Sequence, residues 1–401
     1  MLHKGYHLSY CTNIHPGESW KETFQSIKDY IPQIKKEVSP ETSFGIGLRL
    51  SNAASSELLQ GNKLMIFQKW LEDNSCYVFT INGFPFGSFH HQSVKDKVHQ
   101  PDWTNQERLN YTLRLFDILK TLIPEGVEGG ISTSPLSYKY WPGSLKDKKK
   151  VFKQATLNIV KVAEKLYKIS KESNQLLHLD IEPEPDGLLE NTYELIEWYK
   201  QWLIPEGTIY LKEQLGLSEE EAGICLKKHI RVCYDVCHFA IVYEKPEEVF
   251  PLLSAEGIKI GKIQISAALK VGLPEKVEDR KWVKEALTPF VESTYLHQVV
   301  ERDSGDRLTH YRDLPQALEM LNNPAAREWR THFHVPVFLG KYGKLESTQE
   351  DILKVLEYLK KEKITDHLEV ETYTWEVLPE DIRLKIVDSI VRELEWVQKN
   401  I

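Results

Sequence analysis

Apolar residues in this chain fall into two alternating rhythms. Short runs dominated by β-branched and aromatic residues, too brief for helices, predict buried strands at Tyr6–Tyr10, Phe44–Leu50, Tyr77–Ile81, Gly130–Thr133, Leu176–Ile181, Ile230–Tyr234, Lys262–Ile265 and Leu368–Val370. Between them, apolar positions spaced by three and four predict helices over Trp20–Lys36, Ser55–Asn74, Gln106–Leu122, Leu145–Ser173, Leu189–Trp202, Glu247–Leu253 and Thr348–Lys361. Thr348, ahead of Gln349-Glu350-Asp351, is the expected N-cap of the last of these. Strands each followed by a helix make an α/β fold, and their number points to a (β/α)8 TIM barrel. The stretch between Lys262 and Leu368 is roughly twice the usual barrel repeat. It holds strand-like runs at Tyr295–Val300 and Phe333–Leu339 and a helix pattern at Leu314–Leu321, and reads as a long insertion after the seventh strand, about residues 270–340. A rival count makes Phe333–Leu339 a barrel strand. No Pro/Gly-rich linker divides the chain, so residues 1–401 are expected to form a single barrel domain.

Composition narrows the partners. Hydrophobic residues make up 41% and charged residues 27%, as in a globular protein with ample core. The net charge of −8 repels polyanions, which argues against nucleic acid as a partner. No apolar run reaches the roughly eighteen residues of a membrane span. The five cysteines are scattered and no secretory pattern precedes them, so free thiols in the cytoplasm are expected.

Three of the apolar runs end in carboxylates: Leu179-Asp180-Ile181-Glu182, Val232-Cys233-Tyr234-Asp235 and Leu368-Glu369-Val370-Glu371. A buried strand should not end in an ionised group unless water, a partner or a metal lies there. In a barrel, such positions converge on one mouth. Carboxylates gathered there repel one another unless a cation compensates, so Glu182, Asp235 and Glu371 are candidate ligands of one divalent metal ion (Mn, Zn, Mg or Co). Asp235-x-x-His238 brings an imidazole to the same mouth. Glu369 shares its parity with Glu371 but lies deeper in the strand. His15 follows the first strand and Asn82 the third; with Ser132, Thr133 and Ser134 they offer groups that suit a small polyol or carbonyl metabolite. Aromatic residues crowd the same side: Phe84, Phe86, Phe89, Tyr138, Tyr140, Trp141, Tyr373 and Trp375.

The strings LHLDIEPEPDG, CYDVCHFA and LEVETYTW resemble the fifth, sixth and eighth strand ends of the xylose-isomerase-like TIM barrels, which include sugar-phosphate isomerases and epimerases and AP endonucleases. With YCTNIHPGESW, FGIGLRLS and HFHVPVF, the whole chain resembles the EboE family of metabolite traffic proteins. The superfamily resemblance implies a metal held by Glu182, Asp235 and Glu371, with a histidine after the seventh strand. This chain has Gln264 in that strand instead. The insertion offers His297, His310, His332 and His334; His334 is the expected fourth ligand, and Gln264, His297 and His332 are expected to face substrate. The resemblance further implies isomerase or epimerase chemistry with Glu182, Glu371 and His238 catalytic. A non-catalytic metabolite carrier is the alternative, and an AP-endonuclease-like hydrolase, which needs a basic groove and more ligands, comes third.

Overall fold

The computed structural model describes residues 1–87, 95–291, 296–373 and 384–401. Its strands in chain order are β1 (Leu2–His3), β2 (Tyr6–Tyr10), β3 (Phe44–Arg49), β4 (Cys76–Asn82), β5 (Gly129–Thr133), β6 (Leu177–Ile181), β7 (Ile230–Asp235), β8 (Ile260–Ile265), β9 (Ala267–Gly272), β10 (Val299–Asp303), β11 (Leu308–Tyr311), β12 (Ala326–Val335), β13 (Lys341–Tyr342), β14 (Leu345–Ser347) and β15 (His367–Val370). They form two sheets in a mixed α/β fold.

The first sheet has nine strands in the order β1-β2-β15-β8-β7-β6-β5-β4-β3. The two-residue β1 joins β2 antiparallel, and every other neighbouring pair is parallel. β2 and β3 meet again across a Cys11–Gly47 bridge. There the Ser9 hydroxyl donates to Gly45 O (2.7 Å) and accepts from the Gly47 amide (2.9 Å). The sheet is therefore a nearly closed barrel. Helices pack outside it; Trp20–Val38, for example, starts in a Ser19/Glu22 capping box and buries Trp20, Ile27, Ile31 and Ile34.

Several elements differ from the sequence expectation for local reasons. The helix expected over 55–74 is two, Asn52–Leu58 and Lys63–Asp73, separated at Gly61 with φ +63°. The helix expected from Leu189 begins at Thr192, where Asn191 caps it, and a π-helical turn, Tyr199–Leu203, leads on into Ile204–Leu215. Thr348 does not cap with its side chain: its hydroxyl accepts the Ala268 amide at 2.8 Å, tying the helix Gln349–Lys361 to β9.

The second sheet lies between β8 and β15 in the chain, in the order β11-β10-β12-β9-β14-β13 with antiparallel neighbours. Only Ser266 separates β8 from β9, so the chain runs straight from the barrel into this sheet. The strand expected at 295–300 is β10, Val299–Asp303; Tyr295 lies outside the described residues. The run 333–339 is the end of β12, which stops at Val335 because Pro336 has no N–H to extend the ladder. β12 pairs with β9 and β10, not with the barrel. Its Arg330 anchors it by donating to Ala240 O (2.7 Å) and Asp351 (3.2 Å). No helix among the described residues is long and apolar enough to cross a membrane.

Candidate metal centre

Asp235 closes β7 and caps the next helix, Val236–Ile241. Its Oδ1 accepts the His238 amide (3.1 Å) and the Ser266 hydroxyl (2.6 Å), while its Oδ2 is buried with no hydrogen-bond partner. The capping role and a ligand role thus use different oxygens. Glu182 follows β6, its amide extending the ladder to Thr133 O (3.0 Å), and its Oε2 is likewise buried without a partner. Glu371 follows β15; its Oε1 accepts from Asn13 Nδ2 (2.7 Å) and Asn82 Nδ2 (3.1 Å). One oxygen from each of these three carboxylates lies within 4.8 Å of the others. Burial, reinforced by the neighbouring carboxylates, pushes Glu182 and Glu371 well above the usual carboxylate range. Burial also works against the charge on Asp235, yet the His238 and His334 rings and the Ser266 hydroxyl hold it below its usual value.

Three imidazoles face this cluster, and each has its tautomer set by an oxygen behind it. His238 Nδ1–H donates to Pro183 O (2.9 Å), His334 Nδ1–H to Glu371 O (3.1 Å), and His332 Nδ1–H to Gln298 Oε1 (2.9 Å). Each ring therefore presents Nε2 with its lone pair to the cavity. The Nε2 atoms of His238 and His334 both lie 4.0 Å from Asp235 Oδ2, close to the spacing of ligands about a shared ion. Burial lowers all three pKa values, His334 to about 4, which keeps the rings neutral and able to ligate. The unpartnered carboxylate oxygens, the neutral imidazoles and the mixed O/N donor set fit a divalent cation.

Glu182, Glu371 and the three imidazoles line a cavity of about 50 Å³, with Asn13, Asn82, Phe84, Glu184 and Tyr373 among its other walls. That is room for an ion and a few waters. Of the residues singled out from sequence, Glu182, Asp235, His238, His334, Glu371, Asn82 and His332 come together here. Three do not. His15 stacks on Tyr30 (4.1 Å between centroids), bonds the Tyr10 hydroxyl (2.7 Å) and lines a separate crevice with Thr12 and Arg49. Gln264 lies inside the barrel, level with Glu369, where its Oε1 accepts from Cys233 Sγ (3.1 Å). His297 sits behind the cavity, bonded to His332 O (2.9 Å) and stacked on Phe333. His310 is half-exposed beside Glu190. Phe89 and Trp375 lie outside the described residues. Asn13, Glu184, Ser266 and Gln298 complete the site without a sequence signal of their own; Asn13 reads only as a turn residue, although it follows a strand on the same side as the carboxylates.

Neither a family profile nor a curated protein matches this chain. Among solved structures, it is similar to a zinc-bound IolI protein (11% identity over 98% of this chain and 99% of that one, TM-score 0.47). It is also similar to a xylose isomerase domain protein from Alicyclobacillus acidocaldarius (11%, 98% and 98%, 0.44) and to the probable 3-DHS dehydratase AsbF of petrobactin synthesis from Bacillus anthracis (12%, 97% and 97%, 0.42). The α/β barrel itself is established by the strand order described above.

Proposed function

We propose that this chain is a single-domain (β/α)8 barrel, with β9–β14 as an insertion after the seventh barrel strand, and that it is a divalent-metal-dependent isomerase or epimerase of a small hydroxylated carbonyl compound. The observation that carries this reading is the buried cluster of Glu182, Asp235 and Glu371, with ligand oxygens within 4.8 Å of one another and His334 oriented beside it. Those four residues would hold the ion. When bound, a divalent ion acts as a Lewis acid that polarises a carbonyl and acidifies the neighbouring C–H. Glu182 and Glu371, from different strand ends and with raised pKa values, are the groups that would move the proton. Asn13 and Asn82 fix the Glu371 carboxylate, His238 stands beside Glu182 at 3.9 Å, and His332 and Asn82 offer polar contacts to substrate hydroxyls.

The polar lining favours a hydroxylated ligand over a lipid-like one. The EboE-like strings add the proposal that the substrate is a metabolite precursor in an EboE-type traffic or export pathway. Turnover of aldose–ketose and epimer pairs in D2O, with manganese, zinc, magnesium or cobalt, tests the reaction. Deuterium should enter the carbon beside the carbonyl, and Glu371→Gln should abolish its entry. Metal binding without exchange on any pair would instead support a carrier.

A further inference from the structure

We propose that the barrel carries a small-molecule site at the end opposite the metal centre, suited to a monocarboxylate with an apolar body. A cleft of about 510 Å³ opens there, within the roughly 300–1,000 Å³ usual for ligand pockets. Its walls include the starts of the strands whose ends carry the carboxylate cluster. Arg231 lies at the start of β7, and Asp235 ends that strand about 13 Å further on, at roughly 3.3 Å per residue. Lys259 and Ile260 bring in the start of β8, and Thr365 and Asp366 lead into β15. No residue lines both this cleft and the cavity at the metal centre.

Arg231 is the anchor. It is 6% exposed, and two of its guanidinium nitrogens are committed to the protein: Nε donates to Lys228 O (3.0 Å) and Nη1 to Glu128 Oε2 (2.9 Å). Nη2 has no hydrogen-bond partner among the described residues. A guanidinium fixed in this way, with one nitrogen left over, is a ready donor to an oxyanion. Lys259 lines the same cleft and has no ion-pair partner among the described residues, whereas Lys363 is taken by Asp366. The uncommitted donors are therefore Arg231 Nη2 and Lys259 Nζ.

Charge selects the class of ligand. Arg231, Lys259 and Lys363 are set against Glu128, Glu362 and Asp366, so the lining is neutral overall. Glu362 accepts from the Tyr358 hydroxyl (3.0 Å) and has no ion-pair partner among the described residues. A single negative charge is served by Arg231 and Lys259; a phosphate dianion would add a second to a lining that already holds three carboxylates. Phe250, Leu253, Ile258 and Ile260 also line the cleft and offer apolar contact to the rest of the molecule.

The proposal goes beyond the reaction above and does not depend on it. Hexanoate, benzoate, hexyl phosphate and hexylammonium, titrated by calorimetry into the full chain with and without zinc, test it. Hexanoate or benzoate should bind saturably under both conditions. Arg231→Lys keeps the charge but cannot hold Glu128 and the ligand together, and should weaken binding by about tenfold or more. Lys259→Gln changes an exposed side chain with no ion pair to lose, so its fold should survive, and it should weaken binding by about two- to fivefold. Glu371→Ala, at the other end of the barrel, should leave binding unchanged. No saturable binding of either carboxylate would overturn the site. Binding lost in Glu371→Ala but intact in Lys259→Gln would also overturn it, by placing the carboxylate at the metal centre. Tighter binding of hexyl phosphate or hexylammonium than of hexanoate would overturn the assigned ligand class.

Discussion

Two glutamates on one strand end, Glu369 and Glu371, are both buried, and their partners differ completely. Glu369 points into the barrel, where Lys262 Nζ meets it at 2.7 Å and also donates to Ser132 Oγ (3.0 Å). Gly47 makes the room: a Cβ there would stand 1.9 Å from Glu369 Oε1. Glu371, two residues on, has two amide donors and two carboxylate neighbours but no ammonium against it. The lower layer is electrostatically closed by protein alone. Among the described residues no Lys or Arg ion pair closes the upper layer, and its Nδ1-anchored imidazoles fit the metal centre proposed above. Burial of a carboxylate is thus no mark of function by itself; burial beside other carboxylates and oriented Nε2 atoms is.

The comparison breaks most sharply at its two glutamates. Glu371→Ala should remove the ion held with Glu182 and Asp235 and the associated turnover, with the metal-free fold retained. That loss should exceed the roughly 10–100-fold expected when only a group supporting a ligand is changed; metal content and circular dichroism together check it. If that variant keeps its full metal content, Glu371 is not a ligand of the ion. Lys262→Met should do the reverse. It leaves Glu369 buried without its cation, and should cost about 3–5 kcal/mol of folding stability by denaturant unfolding. A loss below about 1 kcal/mol would show that the lower layer is not closed by this ion pair.

Part of this contrast is legible in the chain itself. An apolar run that ends in Asp235, Glu182 or Glu371 breaks the rule that buried strands stay uncharged, so the carboxylates announce themselves. Parity along a strand tells inside from outside, but not height along the barrel axis, which is why Gln264 and Glu371 look equivalent in sequence and lie at different levels. His15 and His297 fail for a related reason: ring stacking on Tyr30 and Phe333 decides where they face, and both contacts are tertiary. The second sheet is hard to read because β9 continues β8 with one residue between, and β10 carries charges. One of them, Glu301, is buried by accepting from Trp329 Nε1 (2.8 Å) and Asn323 Nδ2 (2.6 Å). Gln298 and Ser266 are ordinary polar residues until the fold brings His332 and Asp235 to them.

A smaller effect separates the layers by pH. Glu182 and Glu371 have native pKa values above the 4.5 of an ordinary glutamate, so the folded state keeps protons that the unfolded chain has released. Their contribution is full below that value and drains away as pH rises toward the native values. The neutral histidines run the other way: His334, at about 4 against 6.5, contributes above 6.5 and loses that contribution as pH falls toward 4. From about pH 7 to 8.5 the carboxylates act against the buried Met1 amino group, which at about 5 against 8.0 gains stability as pH rises, so the metal-free melting temperature of the wild type should fall relative to that of Glu182→Gln across that window. Saturating zinc, which binds more tightly as the protons leave, should reduce or reverse that relative fall. A metal-free melting temperature that rises with pH equally in both proteins would mean that Glu182 is already ionised.

The finest test concerns the amides that take the place of an ammonium at Glu371. Asn82 donates to the Glu371 oxygen already held by Asn13, and its own Oδ1 accepts the Phe84 amide (3.1 Å), so the carboxamide is locked between β4 and the cavity wall. Amide donors orient a carboxylate without neutralising it. Asn82→Ala should therefore leave the ion in place and weaken its binding by about tenfold, the low end of the range for losing a group that holds a ligand in position, as read by competition with a zinc chelator. Asn82→Asp is the sharper variant. It keeps the size of the side chain but sets a second acid against Glu371, which can share the proton Glu371 retains without metal, so its metal-free form should lose stability relative to that of Asn82→Ala as rising pH removes that proton, and zinc should recover much of the difference. A stability difference between the two metal-free variants that does not change with pH would mean that the group at position 82 and Glu371 share no proton.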